Sequence, residues 1–181
     1  RTFSIVTSQE SKYRWTNLTM NARFAPRDGA GALSFQGRMW LIGGWSPRDK
    51  KFFPRICNNE VWSTADGRDW TLVKPNTFLD ESFDPSKDWE GRHTAGYVVY
   101  RGRMWIIGGD VNQKHYQNDV WNSADGKTWA YVNRGKDVPW APRALHHTLV
   151  FQERIWVIGG QTMPRGESFG SQVRKSCDCG M

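Results

Sequence analysis

Arg92 to Gly109 reads RHTAGYVVYRGRMWIIGG, and the chain writes the same line twice more. Arg27 to Gly44 reads RDGAGALSFQGRMWLIGG, and Arg143 to Gly160 reads RALHHTLVFQERIWVIGG. Each opens on Arg, reaches Trp thirteen residues later and closes on Gly-Gly. Within each line, two runs rich in β-formers flank a two-residue turn: Gln36-Gly37, Arg101-Gly102 and Gln152-Glu153. That pattern predicts a β-hairpin in every copy. A repeat of this kind fixes the architecture before any single residue is read.

A second block recurs downstream of the first two hairpins. Asn59 to Trp70 (NEVWSTADGRDW) matches Asn118 to Trp129 (NDVWNSADGKTW). It reads as a strand, an Asp-Gly turn and a further strand opening on Trp. Each full unit is therefore expected to hold four antiparallel strands. Trp40, Trp105 and Trp156 share one repeat position, Trp62 and Trp121 another, and Trp15, Trp70 and Trp129 a third. Trp89 and Trp140 stand three residues before the opening Arg, where the first copy has Phe24. Large flat side chains at fixed positions predict packing of one unit on the next. Of the 11 Trp, Trp45 alone is off the pattern, which makes it a candidate for facing a ligand.

The Gly-Gly doublets Gly43-Gly44, Gly108-Gly109 and Gly159-Gly160 resemble the blade mark of the kelch family. So do the later aromatic pairs Trp62 with Trp70 and Trp121 with Trp129. The resemblance covers about residues 13–178. The turns around Asp66-Gly67 and Asp125-Gly126 are also similar to a shortened Asp-box of sialidase-type propellers, a structural element there. The resemblance implies an all-β fold of kelch-type β-propeller blades with four antiparallel strands each. The whole chain, 1–181, is expected to form a single partial propeller of about three blades. One blade spans 29–73 and a second 92–132. An incomplete third spans 144–178, with 13–19 as a spare fourth strand. Two readings of the count stay open. The chain is a piece of a longer propeller, or it is a half-propeller whose homodimer completes the ring by strand exchange.

Composition limits the partners. At 181 residues and net charge +7, with a pI near 9.5, the chain favours an acidic ligand on electrostatic grounds. Six of the 25 basic residues, Arg27, Arg92, Arg143, Arg38, Arg103 and Arg154, recur at fixed repeat positions and are framework candidates. No basic helix, RNP-like motif or zinc spacing points to nucleic acid. No stretch is long and apolar enough for a membrane helix. Three cysteines, Cys57, Cys177 and Cys179, make no disulfide framework. The Asn17-Leu18-Thr19 sequon slightly favours a secreted, extracellular setting over the cytoplasm, and a first residue Arg1 reads as a processed chain or a fragment.

The turns within each hairpin are short and uniform, whereas the connections at the other end differ in every copy. Binding is expected at that irregular end. The connection from Trp45 to Asn58 interleaves Trp45, Arg48, Lys51 and Phe53, which suits an acidic glycan or protein segment. The second copy offers His115 and Tyr116 there. Arg92 and Arg143 open the first strand of their blades and either converge on a carboxylate or bond loop carbonyls between blades. The acidic stretch Thr77 to Glu90 is expected as a solvated linker. No spacing assigns a catalytic group, a metal set or a cofactor. The chain is thus expected to be a binding module for a protein or glycan. The alternative is a secreted carbohydrate-active enzyme of sialidase-like or kelch-oxidase type.

Overall fold

A computed structural model describes residues 14–47, 56–79, 81–111, 115–133 and 138–162. Among these the fold is all-β and antiparallel. The first sheet contains β1 (Gly31–Phe35), β2 (Arg38–Ile42), β3 (Val61–Thr64) and β4 (Thr71–Lys74), ordered as in the sequence. The second contains β5 (Gly96–Tyr100), β6 (Arg103–Asp110), β7 (Tyr116–Ser123) and β8 (Ala130–Asn133), in the same arrangement. A hairpin of β9 (His147–Phe151) and β10 (Arg154–Ile158) follows. The registers repeat as well. Leu33 faces Trp40, Val98 faces Trp105 and Leu149 faces Trp156.

Turn chemistry explains the hairpins. Gln36 and Gly37 have φ of 49° and 70°, and Arg101 and Gly102 have 47° and 68°. Two successive left-handed residues match the twist of the flanking strands. In the third copy the same conformation falls on Gln152 (φ 47°) and Glu153 (φ 54°), so a residue with a Cβ sits where the other copies use glycine. Glu153→Gly is expected to stabilise the protein by about 0.5–1 kcal/mol. A urea melt would show this as a higher midpoint at unchanged slope; a lower midpoint would contradict it.

The turns between the third and fourth strands are built on carboxylates. Asp66 Oδ1 accepts the N–H groups of Arg68 (2.9 Å) and Asp69 (3.0 Å), and the Gly67 N–H donates to Thr64 Oγ1 (3.0 Å). Asp125 repeats this with Lys127 (2.9 Å) and Thr128 (2.8 Å), and Gly126 with Ser123 Oγ (2.8 Å). The Asp69 and Arg68 N–H groups pull the Asp66 carboxyl down to about 2. Both aspartates hold turns together, as the sequence implied.

The copies stack face to face. Phe35, Trp40, Ile42 and Val61 of the first sheet share one buried cluster with Met104, Ile106, Trp121 and Trp129 of the second, together with Trp89. Val98, Ile107 and Val120 make a second cluster, packed by Ile155 and Val157 of the hairpin. The doublets lock the stack. The Gly44 N–H donates to the Arg92 carbonyl (2.8 Å), and the Gly109 N–H to the Arg143 carbonyl (2.9 Å). A Cβ on Gly43 would lie 2.9 Å from the Arg92 carbonyl oxygen, and one on Gly108 3.0 Å from that of Arg143. The Gly-Gly signature therefore serves backbone contact between successive copies.

Two expectations concern segments outside the named strands. Residues 14–19, expected within a spare fourth strand, form no strand here, and Trp15 is 94% exposed. Their expected partner around 172–178 lies outside the described residues, as do Cys177 and Cys179. The stretch from Thr77 to Glu90 is more than a solvated linker. Asp88 pairs with the buried Lys74 at 2.7 Å and accepts from Thr77 and Asn59, while Asp84 pairs with Lys87 at 2.7 Å.

Candidate ligand-binding site at the irregular end of the sheets

The repeat places two residues of every copy side by side at this end: the one after the Arg and the one after the Gly-Gly. Asp28 and Trp45 exchange backbone hydrogen bonds at 3.0 Å each. His93 and Asp110 do so at 3.0 and 2.9 Å, and Ala144 and Gln161 at 3.1 and 2.8 Å. Successive pairs are tied together, because the Thr94 N–H donates to the Gly29 carbonyl (2.8 Å) and the Leu145 N–H to the Thr94 carbonyl (3.0 Å). The outcome is a row of side chains from three copies with no common identity: Asp28, Trp45, His93, Asp110, Ala144 and Gln161.

At the centre of that row, His93 lies between two carboxylates. Its Nδ1 is 3.2 Å from Asp28 Oδ1 and its Nε2 is 3.2 Å from Asp110 Oδ2. Only the imidazolium donates at both nitrogens. Burial works against the charge, but the Asp110 and Asp28 carboxylates outweigh it and raise the His93 pKa above its ordinary value. Asp28 remains largely exposed, whereas His93 and Asp110 are mostly covered. Beside them, Tyr116 opens β7 opposite Asp110. Burial, with the Asp110 carboxylate adding to it, pushes the phenol up to about 12, so it stays a hydrogen-bond donor.

Cys57 forms the floor. It is buried, bridges to Trp45 and directs its thiol toward the Asp110 carbonyl at 3.7 Å. Burial and the carboxylates of Asp110 and Asp28 raise the thiol to about 12. A group protonated at that level is neither a nucleophile nor a thiolate ligand near neutral pH. Among the described residues, no group of three or more His, Cys, Asp or Glu side chains is arranged to hold a metal ion.

The residues expected from the sequence divide into three sets. Trp45 (half-buried), His115 (exposed) and Tyr116 (half-buried) lie at this end. His115 Nε2 is 3.4 Å from Glu90 Oε2 and 3.0 Å from Gln117 Nε2. Arg48, Lys51 and Phe53 lie outside the described residues. The arginines require correction. Arg92 is fully buried, with its Nη2 2.9 Å from Asp119 Oδ2, a second bond to Asp119 Oδ1, and further bonds to the carbonyls of Gly108 (3.0 Å) and Glu90 (2.9 Å). Arg27 repeats the arrangement with Glu60 at 2.7 Å and the Gly43 carbonyl at 3.0 Å. Arg143 bonds the Gly159 carbonyl at 2.7 Å and the Ala141 carbonyl at 3.2 Å. The guanidiniums therefore do not converge on a ligand. Each holds the first carbonyl of its own doublet, and in two copies the carboxylate also accepts from the next Trp, Trp62 (2.9 Å) or Trp121 (2.7 Å).

A cavity of ≈170 Å³ lies beneath the β4–β5 connection, lined by Asp88, Glu90, Gln117, Asp119 and Tyr131 among others. Its carboxylates already face Lys74, His115 and Arg92. Sequence reading missed the Asp28–His93–Asp110 arrangement, because Asp28 and His93 share the position after their Arg but differ in residue type, and Asp110 lies in another segment, directly after Gly108-Gly109. The signal that could have found it is the pairing of the position after Arg with the position after Gly-Gly. Comparison of the chain with family models and with curated proteins finds no match in either.

Proposed function

We propose that the chain is part of a kelch-type β-propeller that acts as a binding module for a glycan or protein segment. The ligand would sit on the irregular end of the sheets, against Trp45, His93, Asp28, Asp110, His115 and Tyr116. The observation that carries this reading is the bridged His93, a partly accessible imidazole between two carboxylates in a row whose members differ from copy to copy. Variation confined to one end of a uniform scaffold is a feature of recognition surfaces. The propeller reading is supported by the recurring face-to-face stacking and by doublets that contact the next copy.

The chemistry favours a ligand rich in hydroxyl or amide groups. Asp28 offers accepting oxygens, Tyr116 a donor and Trp45 an indole face on which a sugar ring or peptide plane can lie. The preference for acidic ligands rests on Arg48 and Lys51 and enters the test as one arm. Neutral and acidic glycans, presented to the protein as an array, should show a bound subset. Trp45→Ala and His93→Gln should each weaken that binding at least about tenfold, equal to roughly 1.4 kcal/mol, with unchanged circular dichroism. Wild-type affinity in both variants would refute the placement of the site. Failure to bind any glycan, together with failure to capture a peptide library, would refute the function.

A further inference from the structure

We propose that the uniform end of the sheets, opposite the irregular one, is a docking surface for a sulfated polysaccharide. The inference rests on how the two ends dispose of their cations, not on what the irregular end binds. Among the described residues, the Lys and Arg side chains paired with carboxylates are Arg27 with Glu60, Lys74 with Asp88, Lys87 with Asp84 and Arg92 with Asp119. All of these pairs belong to the irregular end or to the β4–β5 connection. The uniform end carries Arg38, Arg68, Arg101, Arg103, Lys127 and Arg154, in or beside the hairpin turns and the Asp66 and Asp125 turns. Among the described residues none of them has a carboxylate within ion-pair distance. All but the half-buried Arg38 are exposed.

What these cations touch holds them without cancelling their charge. Arg38 Nε donates to Ser63 Oγ (3.1 Å) and Arg103 Nη1 to Asn122 Oδ1 (3.3 Å), both neutral acceptors. The Arg101 guanidinium lies 5.0 Å over the Tyr100 ring, and the Tyr100 hydroxyl is itself fixed by donating to the Glu153 carbonyl (2.6 Å). The carboxylates at this end are Asp66, Asp69, Asp125 and Glu153, fewer than the cations. Asp66 and Asp125 aim an oxygen back at the N–H groups of their own turns. The end is left with a positive excess on groups that solvent reaches, which suits an anion from outside.

Spacing selects the anion. Arg38, Arg103 and Arg154 open the second strand of successive copies, each opposite the last residue of the first strand: Phe35, Tyr100 and Phe151. Sheets packed face to face stand about 10 Å apart, so the row presents one guanidinium at each step of that size. Arg68 and Lys127 repeat the step at the outer turns, one residue after Gly67 and Gly126. Duplex nucleic acid carries a charge about every 1.7 Å along its axis, far denser than this row. A sulfated polysaccharide spaces its sulfates by a sugar or a disaccharide, and the oxygens of each can take two parallel N–H groups from one guanidinium. The row therefore fits the sparser polymer.

Heparin is the probe. The full chain should be retained on a heparin column at neutral pH and about 0.15 M salt. Arg101→Gln, Lys127→Gln and Arg154→Gln combined should weaken binding of a heparin oligosaccharide at least about tenfold and lower its dependence on salt, with unchanged circular dichroism. The Arg101 change suits the left-handed backbone there, since Gln36 and Gln152 hold the same turn position in the other copies. Arg101→Lys with Arg154→Lys keeps the charges and should keep most of the binding. Arg48→Gln with Lys51→Gln, in the connection from Trp45 to Asn58, should leave it unchanged, as should Trp45→Ala, so that failure of the irregular end as a site is read separately. A wild-type protein that is not retained would overturn the proposal, as would wild-type affinity in the triple variant. So would an equal loss in the Arg48 and Lys51 variant, or equal competition by desulfated heparin or by duplex DNA.

Discussion

Replacing Arg92 by Met is expected to destabilise the protein by about 3–5 kcal/mol, a large share of the stability of a domain of this size. Arg92 is fully buried and neutralises Asp119 through two bonds, while Asp119 also accepts from the Trp121 indole. Removing the guanidinium strands a buried carboxylate and frees the Gly108 carbonyl that positions the doublet. The cost comes from that orphaned charge, not from any large net gain of the pair itself. Arg92→Met combined with Asp119→Leu should therefore recover much of the loss. Arg143→Met removes bonds to two carbonyls and strands no carboxylate among the described residues. Its expected cost is about 1 kcal/mol. Urea unfolding of the three variants separates these outcomes. Equal destabilisation by Arg92→Met and Arg143→Met would show that the buried pair is not the source.

Acidification from about pH 6.5 to pH 4 is expected to cost roughly 3 kcal/mol through one residue, His146. It stands three residues after Arg143, where the first two copies have Ala30 and Ala95. The imidazole is buried against Gly96 and Gly108, and among the described residues neither ring nitrogen makes a well-formed hydrogen bond, the Ile107 backbone offering only a weak contact. Burial, with Arg143 adding to it, lowers its pKa to about 4. The unfolded chain takes up a proton near pH 6.5 and the folded one does not, so the stabilisation is present above 6.5 and is lost as the pH falls toward 4. His93 behaves oppositely. Its pKa is raised, so its contribution is complete below 6.5 and is lost only as the pH rises through the folded value. The carboxyl of Asp66, lowered to about 2, contributes stability that fades only below the ordinary carboxylate range. Between about 5 and 6.5, above the range in which unfolded carboxyls take up protons and lowered ones such as Glu90 begin to lose their contribution, the change isolates His146. Stability of His146→Ala measured against pH should be nearly flat across that range. A variant with the same acid dependence as the wild type would refute the assignment.

Much of the fold can be read from the residues because its signals are local. Strand pairing follows from alternation and from left-handed turn residues, which act within a few positions. The Asp66 and Asp125 turns are legible for the same reason, since the carboxylate bonds N–H groups two and three residues on. The arginines were less legible. Periodicity places Arg27, Arg92 and Arg143 at one position, but a convergent ligand cluster and a set of carbonyl clamps would leave the same periodic trace. Burial and the Glu60 and Asp119 partners decide for the clamp, and both depend on contacts more than twenty residues away.

By itself, then, the sequence determined the strands, the turns and the four-strand unit, because these depend on each residue's own backbone preferences and its nearest neighbours. Only the tertiary structure decided what lies beside what between copies. It brought Asp28, His93 and Asp110 together from three segments, buried His146 with no well-formed hydrogen bond among the described residues, and left the hairpin face exposed where the equivalent face of the first sheet is buried. Those outcomes depend on stacking distances across the copies, and no periodicity along the chain encodes them.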